Sequence, residues 1–321
     1  MITGSDTEPT TLGTLDLAAA PLVLGGNVFG WTADRTATFE VLDAFLASGG
    51  RMVDTADAYS AWVPGNDGGE SETLIGQWLA ASGRRDDVVI ASKVSKHPQF
   101  RGLSASNVAA AARASLQRLR TDRIDLYYAH FDDTDTPIAQ TAAAFSRLKD
   151  EGLIREIGIS NYTPERIAEW FEAVERDGLH APVALQPHYN LMERGFEDGL
   201  RGAAERFGLG VLPYSALASG FLAGSYRDGT SHDSPRARGA GKYLDDRGRA
   251  VLAALDEIAA AHVVEVATVS LAWLRAQATI AAPIASARHT GQLPALMASM
   301  SLELSAEEIG TLTEASQVTG A

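Results

Sequence analysis

Four residues in this sequence have the types and spacing to do acid–base chemistry together: Asp54, Tyr59, Lys93 and His130. Lys93 stands near the end of the β-rich run Val88–Val94, where period-two alternation puts it on one face with Val89 and Ala91. A cation so placed must be paired, and Asp54, ending Arg51-Met52-Val53-Asp54, is a suitable counter-ion. Tyr59 follows one short loop later and supplies a phenol. An ammonium beside that phenol stabilises the phenolate, so the expectation is a tyrosine pKa lowered toward working pH, as a general acid or base requires. The chain has only four lysines, Lys93, Lys96, Lys149 and Lys242, which makes Lys93 more informative. Each residue also has an ordinary reading: Asp54 as a helix cap, Tyr59 as a loop aromatic, His130 as a core histidine.

The elements that must position these residues are eight short apolar runs separated by amphipathic segments. The runs are Leu22–Gly25, Met52–Asp54, Val88–Val94, Ile124–His130, Ile154–Ile159, Val183–Pro187, Gly210–Tyr214 and Ile280–Ile284. Between them apolar residues recur at spacings of three and four, as in Phe39, Leu42, Phe45 and Leu46, which predicts helices. Ser71, Ser104 and Thr163-Pro164-Glu165 read as helix starts. Eight strand–helix repeats without a composition break predict an α/β fold with one domain over residues 1–321, a closed (β/α)8 TIM barrel whose chemistry sits at the C-terminal ends of the strands. Outside the repeat lie a hairpin at Leu12–Leu22 expected to plug the barrel bottom and a long connection after strand 7, residues 216–245, expected to cover a ligand. Extra helices follow at Arg247–Ala261, Val266–Gln277 and Ala306–Ala315.

Composition narrows the function classes. With 27 basic against 41 acidic side chains the formal charge is −14, and no Lys or Arg run offsets it, so nucleic acid is disfavoured as a partner. No cysteine is present, which excludes disulfides, thiolate catalysis and cysteine-ligated metals. Residues 1–11 are polar and acidic, read as a flexible segment, and no run of about eighteen apolar residues occurs; the expectation is a soluble, cytoplasmic protein with no membrane partner.

Taken jointly, Asp54-Thr55-Ala56-Asp57-Ala58-Tyr59, Gly69-Glu70-Ser71-Glu72, Ser92-Lys93 and Asp125-Leu126-Tyr127-Tyr128-Ala129-His130 resemble the aldo-keto reductase family in residues, order and spacing. So do Gly152 to Asn161, Gln186-Pro187-His188-Tyr189-Asn190-Leu191 and Pro213 to Gly220. The resemblance implies that Asp54, Tyr59, Lys93 and His130 form a tetrad reducing a carbonyl with a nicotinamide cofactor. Tyr59 would give the proton, Lys93 acidify it, Asp54 anchor the lysine and His130 hydrogen-bond the carbonyl oxygen. It further implies that Ser160, Asn161 and Gln186 hold the carboxamide and that Tyr214 stacks on the nicotinamide. Ser215 and Leu217 would also contact the cofactor, the segment Ser219-Gly220-Phe221-Leu222-Ala223-Gly224 would bring backbone N–H groups toward the pyrophosphate, and Ser286, Arg288 and Gln292 would hold the adenosine end. Arg288 is placed to favour NADPH/NADP+ through a 2′-phosphate. The sequence departs from the family pattern at Ser225, where lysine is frequent, and at Ala295 and Leu296, where an acidic residue and asparagine are common.

Phe29, Trp31 and Trp62 flank the expected mouth, as an aromatic wall for an apolar or planar carbonyl compound or as ordinary packing. Phe131-Asp132-Asp133 is either a substrate contact or a solvated loop. No metal is expected in this reading. Two alternatives remain at the level of sequence: a nucleotide-binding regulatory subunit of the same fold, and a metal-dependent barrel hydrolase using Asp54, His130 and His188.

Overall fold

A computed structural model describes residues 12–15, 20–227 and 237–317. The expectations for residues 1–11, for residues 16–19 of the hairpin and for residues 228–236 of the long connection lie outside the described residues.

Eight parallel strands form one sheet: β1 (Val23–Gly25), β2 (Met52–Asp54), β3 (Val89–Val94), β4 (Ile124–Ala129), β5 (Ile154–Ser160), β6 (Ala184–Gln186), β7 (Gly210–Val211) and β8 (Ile284–Ala285). Neighbours in sequence are neighbours in the sheet, and β8 pairs with β1. Backbone bonds close the remaining seam: Val211 N–H donates to Thr279 O at 2.9 Å, Ala281 N–H to Val211 O at 2.9 Å and Ile284 N–H to Pro213 O at 3.0 Å. The result is a (β/α)8 barrel. The last two strands are shorter than the apolar runs that predict them. Pro213 and Pro283 have no N–H to give, so the regular ladder stops beside each.

Helices alternate with the strands: α1 (Arg35–Ala47), α2 (Glu70–Ser82), α3 (Ala105–Leu119), α4 (Ile138–Asp150), α5 (Pro164–Asp177) and α6 (Leu200–Phe207). After β7 come the short α7 (Ala237–Gly241), then α8 (Asp246–His262) and α9 (Val266–Arg275). β8 is followed by α10 (Leu293–Ala298) and α11 (Ala306–Ala315). Ser104 caps α3 by accepting from Asn107 N–H, and Thr163 caps α5 ahead of Pro164, as expected. Ser71 is different. It lies inside α2, whose N-cap is the left-handed Gly69, and its buried hydroxyl donates to Gly26 O at 2.8 Å and accepts from Thr55 at 2.8 Å. Two elements carry no expectation from periodicity: α10, and a two-stranded hairpin joining Lys96–His97 to Phe100–Arg101. No helix among the described residues is long and apolar enough to cross a membrane.

The core has two layers. Val23, Met52, Ala91, Leu126, Tyr128, Ala184, Leu212 and Ile284 fill the barrel, while Leu24, Val53, Ile90, Tyr127 and Ile159 face the helices. The turn Leu12–Leu15 packs into the inner layer from below, and Thr14 donates to the buried Glu156 through N–H at 2.8 Å and hydroxyl at 2.7 Å. Gly158 is required here by space: a Cβ would stand 2.4 Å from the Tyr128 ring.

Candidate active site

Period-two alternation carries the inner layer straight into the site. Two residues beyond the inward Val23, Met52, Ala91, Tyr128, Ala184, Leu212 and Ile284 come Gly25, Asp54, Lys93, His130, Gln186, Tyr214 and Ser286. All lie at the C-terminal edge of the sheet. Except for the fully buried Lys93, all line one cleft of about 630 Å³.

Lys93 Nζ is fully buried and donates to Asp54 Oδ2 at 2.6 Å, Thr55 O at 2.7 Å and Tyr59 Oη at 2.9 Å. Its three protons are thereby matched by three acceptors, as a buried ammonium needs. Gln186 Nε2 donates to the other oxygen, Asp54 Oδ1, at 2.9 Å, fixing the carboxylate from across the barrel. The Tyr59 and His130 rings are 6.2 Å apart and inclined at 73°. The structure therefore brings all four expected catalytic residues to one end of the cleft.

The electrostatics differ from expectation at Tyr59. Burial, and after it the negative charge of Asp54, push the phenol well above its usual value and outweigh the ammonium. The hydroxyl accordingly keeps its proton, the state a donor must start from. Burial also pushes the Lys93 ammonium down, against the pull of Asp54. His130 is held well below the usual histidine range by burial and by Lys93 and Lys96, so its imidazole is neutral, and its buried Nδ1 has no partner among the described residues.

On the other side of the cleft, Asn161 follows β5 in the left-handed region at φ +58°. Its Nδ2 donates to His130 O at 2.9 Å and Ser160 Oγ at 3.0 Å, and its Oδ1 accepts from Tyr214 at 2.9 Å. Ser160 itself is fully buried and does not line the cleft; its hydroxyl donates to Gln186 O at 2.8 Å and so supports its neighbours from behind. The Tyr214 ring is stacked on His188, with centroids 5.1 Å apart and planes within 10°. Farther along, Ser215, Leu217, Ser219 and Gly220 line the cleft, with Ser215 (φ +55°), Ser219 (φ +60°) and Gly220 (φ +96°) all left-handed. Non-glycine residues hold such angles at a cost of about 1–3 kcal/mol each, and clusters of them mark ligand-binding turns. Ser286, Arg288 and Gln292 line the far end, where Gln292 Oε1 accepts from Arg288 N–H at 2.8 Å.

Of the expected aromatic wall, Trp31 lines the cleft and meets Trp62 edge-on at 5.6 Å. Trp62 stands outside it, half exposed. Phe29 is not part of the wall: the turn that bonds Phe29 N–H to Gly26 O sends its ring, fully buried, into the outer core. Phe131 does line the cleft. Gly25 and Asn27, which carry no chemical signature of their own in the sequence, line it too; Gly25 follows from the same alternation that singles out Asp54. A Cβ there would stand 2.6 Å from Ser286 Oγ, so glycine keeps the cleft floor open. Among the described residues no three His, Asp or Glu side chains are grouped to hold a metal ion.

A cleft that runs unbroken from a lysine-bonded phenol to an arginine, past stacked rings and a left-handed turn, fits an extended ligand such as a dinucleotide. Comparison with known proteins agrees with that geometry. The family pattern described as "Aldo/keto reductase family" matches residues 21–317. The chain is 29% identical to Protein tas of Escherichia coli (strain K12) over 94% of its length and 95% of that protein's. It is 32% identical to Aldo-keto reductase YhdN of Bacillus subtilis (strain 168), covering 91% and 87%, and 28% identical to Aryl-alcohol dehydrogenase GME11368 of Pestalotiopsis microspora, covering 90% and 77%. With the barrel, the strand-end residues and the match over nearly all of its length in agreement, this chain belongs to the aldo/keto reductase family, a family of oxidoreductases.

Proposed function

We propose that the protein is an NADPH-dependent reductase converting an aldehyde or ketone to the alcohol, with Asp54, Tyr59, Lys93 and His130 as its catalytic residues. The observation that carries the reading is Lys93 Nζ held between Tyr59 Oη at 2.9 Å and Asp54 Oδ2 at 2.6 Å at the cleft's inner end. A nicotinamide cofactor, when bound, supplies the hydride that no side chain can deliver.

The chain's own residues do the rest. The Tyr214 ring, braced by His188, gives a flat surface for the nicotinamide, and the amides of Asn161 and Gln186 stand beside it. The turn through Ser219 and Gly220, which lines the cleft, would hold the pyrophosphate, and the Arg288 guanidinium would offer a donor fork to a 2′-phosphate. As negative charge develops on the substrate oxygen, Tyr59 Oη gives it a proton. Lys93 then stabilises the phenolate left behind, and Asp54 holds the lysine in place. The neutral His130 imidazole donates a hydrogen bond to the same oxygen and orients the carbonyl.

Tyr59→Phe tests this directly. It removes the proton donor and leaves the cofactor surface intact, so carbonyl reduction followed by NADPH absorbance should fall about 10²–10⁴-fold while NADPH binding followed by fluorescence stays. Turnover within a few-fold of the parent would sink the assignment.

A further inference from the structure

The short hairpin that follows β3 carries two cations, Lys96 and Arg101, that have no counter-ion among the described residues. Lys96 and Arg101 are directly paired across its strands, so their side chains leave on one face, while His97 and Phe100 leave on the other with their rings 5.2 Å apart. Like charges directly opposed are mildly destabilising. In a chain with a formal charge of −14, relief by a carboxylate would be expected, yet among the described residues neither Lys96 nor Arg101 has one within ion-pair distance. The other three lysines are each paired, Lys93 with Asp54, Lys149 with Glu156 and Lys242 with Glu193.

The nearby carboxylates are held elsewhere. Asp132 takes Arg166 through both oxygens, at 2.7 and 2.9 Å. Asp133 accepts from Leu103 N–H at 2.7 Å, from the Thr136 hydroxyl at 2.7 Å and from Asp135 N–H at 3.2 Å. Lys96 instead lies over the Phe131 ring, its ammonium 4.3 Å from the centroid. Phe131 lines the cleft, and its ring is 5.0 Å from that of His130. The chain reaches this position through Ser95, held at φ +130°, whose hydroxyl accepts from Phe131 N–H at 3.2 Å. A strained residue thus seats an exposed cation against Phe131, which itself lines the cleft beside His130. Lys96 also helps push the His130 pKa down, so its field reaches the reacting end.

We infer that Lys96 and Arg101 form an anion subsite at the cleft mouth, and that the substrates this enzyme prefers are aldehydes or ketones carrying a carboxylate at the end remote from the carbonyl. The inference rests on the carbonyl-reductase reading above. The carbonyl lies against His130 and Tyr59, the body of the substrate passes Phe131, and the carboxylate meets the two cations. The protein's overall negative charge would by itself disfavour an anionic substrate, so the local pair and the global field predict opposite preferences.

The test compares 4-formylbenzoate with its methyl ester, with NADPH absorbance followed at low and high salt. The parent should favour the acid in kcat/KM by about tenfold at low salt, through a lower KM, and the preference should shrink as ions screen it. In Lys96→Gln/Arg101→Gln the acid-to-ester ratio should fall toward one or below. Because it is a ratio, general damage to the fold cancels. Equal or better turnover of the ester by the parent would overturn the inference. So would an unchanged ratio in the double variant, or a double variant whose defect lies in the KM for NADPH. Failure to reduce either compound would remove the reductase reading, and this one with it, so the two failures are distinguishable.

Discussion

Asp57 is fully buried, and neither of its carboxylate oxygens has a hydrogen-bond partner among the described residues. Its surroundings explain how it is tolerated. Lys93 and Arg118 supply two positive charges; Asp54 takes the first at 2.6 Å and Glu72 the second at 2.6 Å, with Ser92 also donating to Glu72. A third anion would have no cation left to face. Burial first, and Glu72 second, push the Asp57 carboxyl well above its usual value, so it holds its proton. The folded state then binds a proton that the unfolded chain releases near pH 4, and stability attributable to this group declines as pH rises above that point toward the raised folded value. Asp57→Asn has nothing to titrate. Urea unfolding should therefore show the variant gaining on the parent as pH goes from 5 to 8, by up to about 1.4 kcal/mol for each pH unit over which the parent must keep the proton. A difference that stays flat across that range would show the carboxyl to be ionised in the fold.

At the scale of strands, the same alternation that fills the barrel also builds the site, so a defect inside a strand propagates to its end. β5 is the clearest case. Gly158 leaves room for the Tyr128 ring, and two residues on, Ser160 holds Asn161 and Gln186. Gly158→Ala should lose about 1–3 kcal/mol of stability by overpacking, and Tyr128→Leu in the same chain should recover part of it; a single variant within 0.5 kcal/mol of the parent would contradict the close approach. This alternation is also why so much was legible in the sequence. All eight strands, the caps at Ser104 and Thr163 and the convergence of Asp54, Lys93 and His130 follow from periodicity and strand ends. What escaped was set by contacts distant in sequence. Ser71 reads as a cap, but Gly26 and Thr55 draw it into a buried network. Phe29 reads as a wall residue, but its turn points it into the core. The Tyr59 shift has the opposite sign to that expected because burial, invisible in a local motif, outweighs one neighbouring lysine. The hairpin of Lys96 and Arg101 is too short to carry a periodic signal.

Across the whole molecule, the cleft is assembled from chain positions as far apart as Gly25, which ends β1, and Gln292, beyond β8. A ligand bound along it bridges segments that unfolding would separate, so its binding energy adds to the stability of the entire barrel by mass action: about 2.7 kcal/mol at a hundredfold excess over its dissociation constant. The protein as a whole carries a charge of −14, and a dinucleotide phosphate must approach against it. The extra phosphate of NADPH therefore gives an advantage over NADH only where a local cation outweighs the global field, and the proposed NADPH preference assigns that part to Arg288, which lines the far end of the cleft. The expected result is a larger rise in Tm with NADPH than with NADH at equal concentration. Arg288→Ala should remove most of the difference by weakening NADPH alone. Equal shifts with the two nucleotides in the parent, or a variant in which both shifts fall together, would show that the guanidinium does not read the 2′-phosphate.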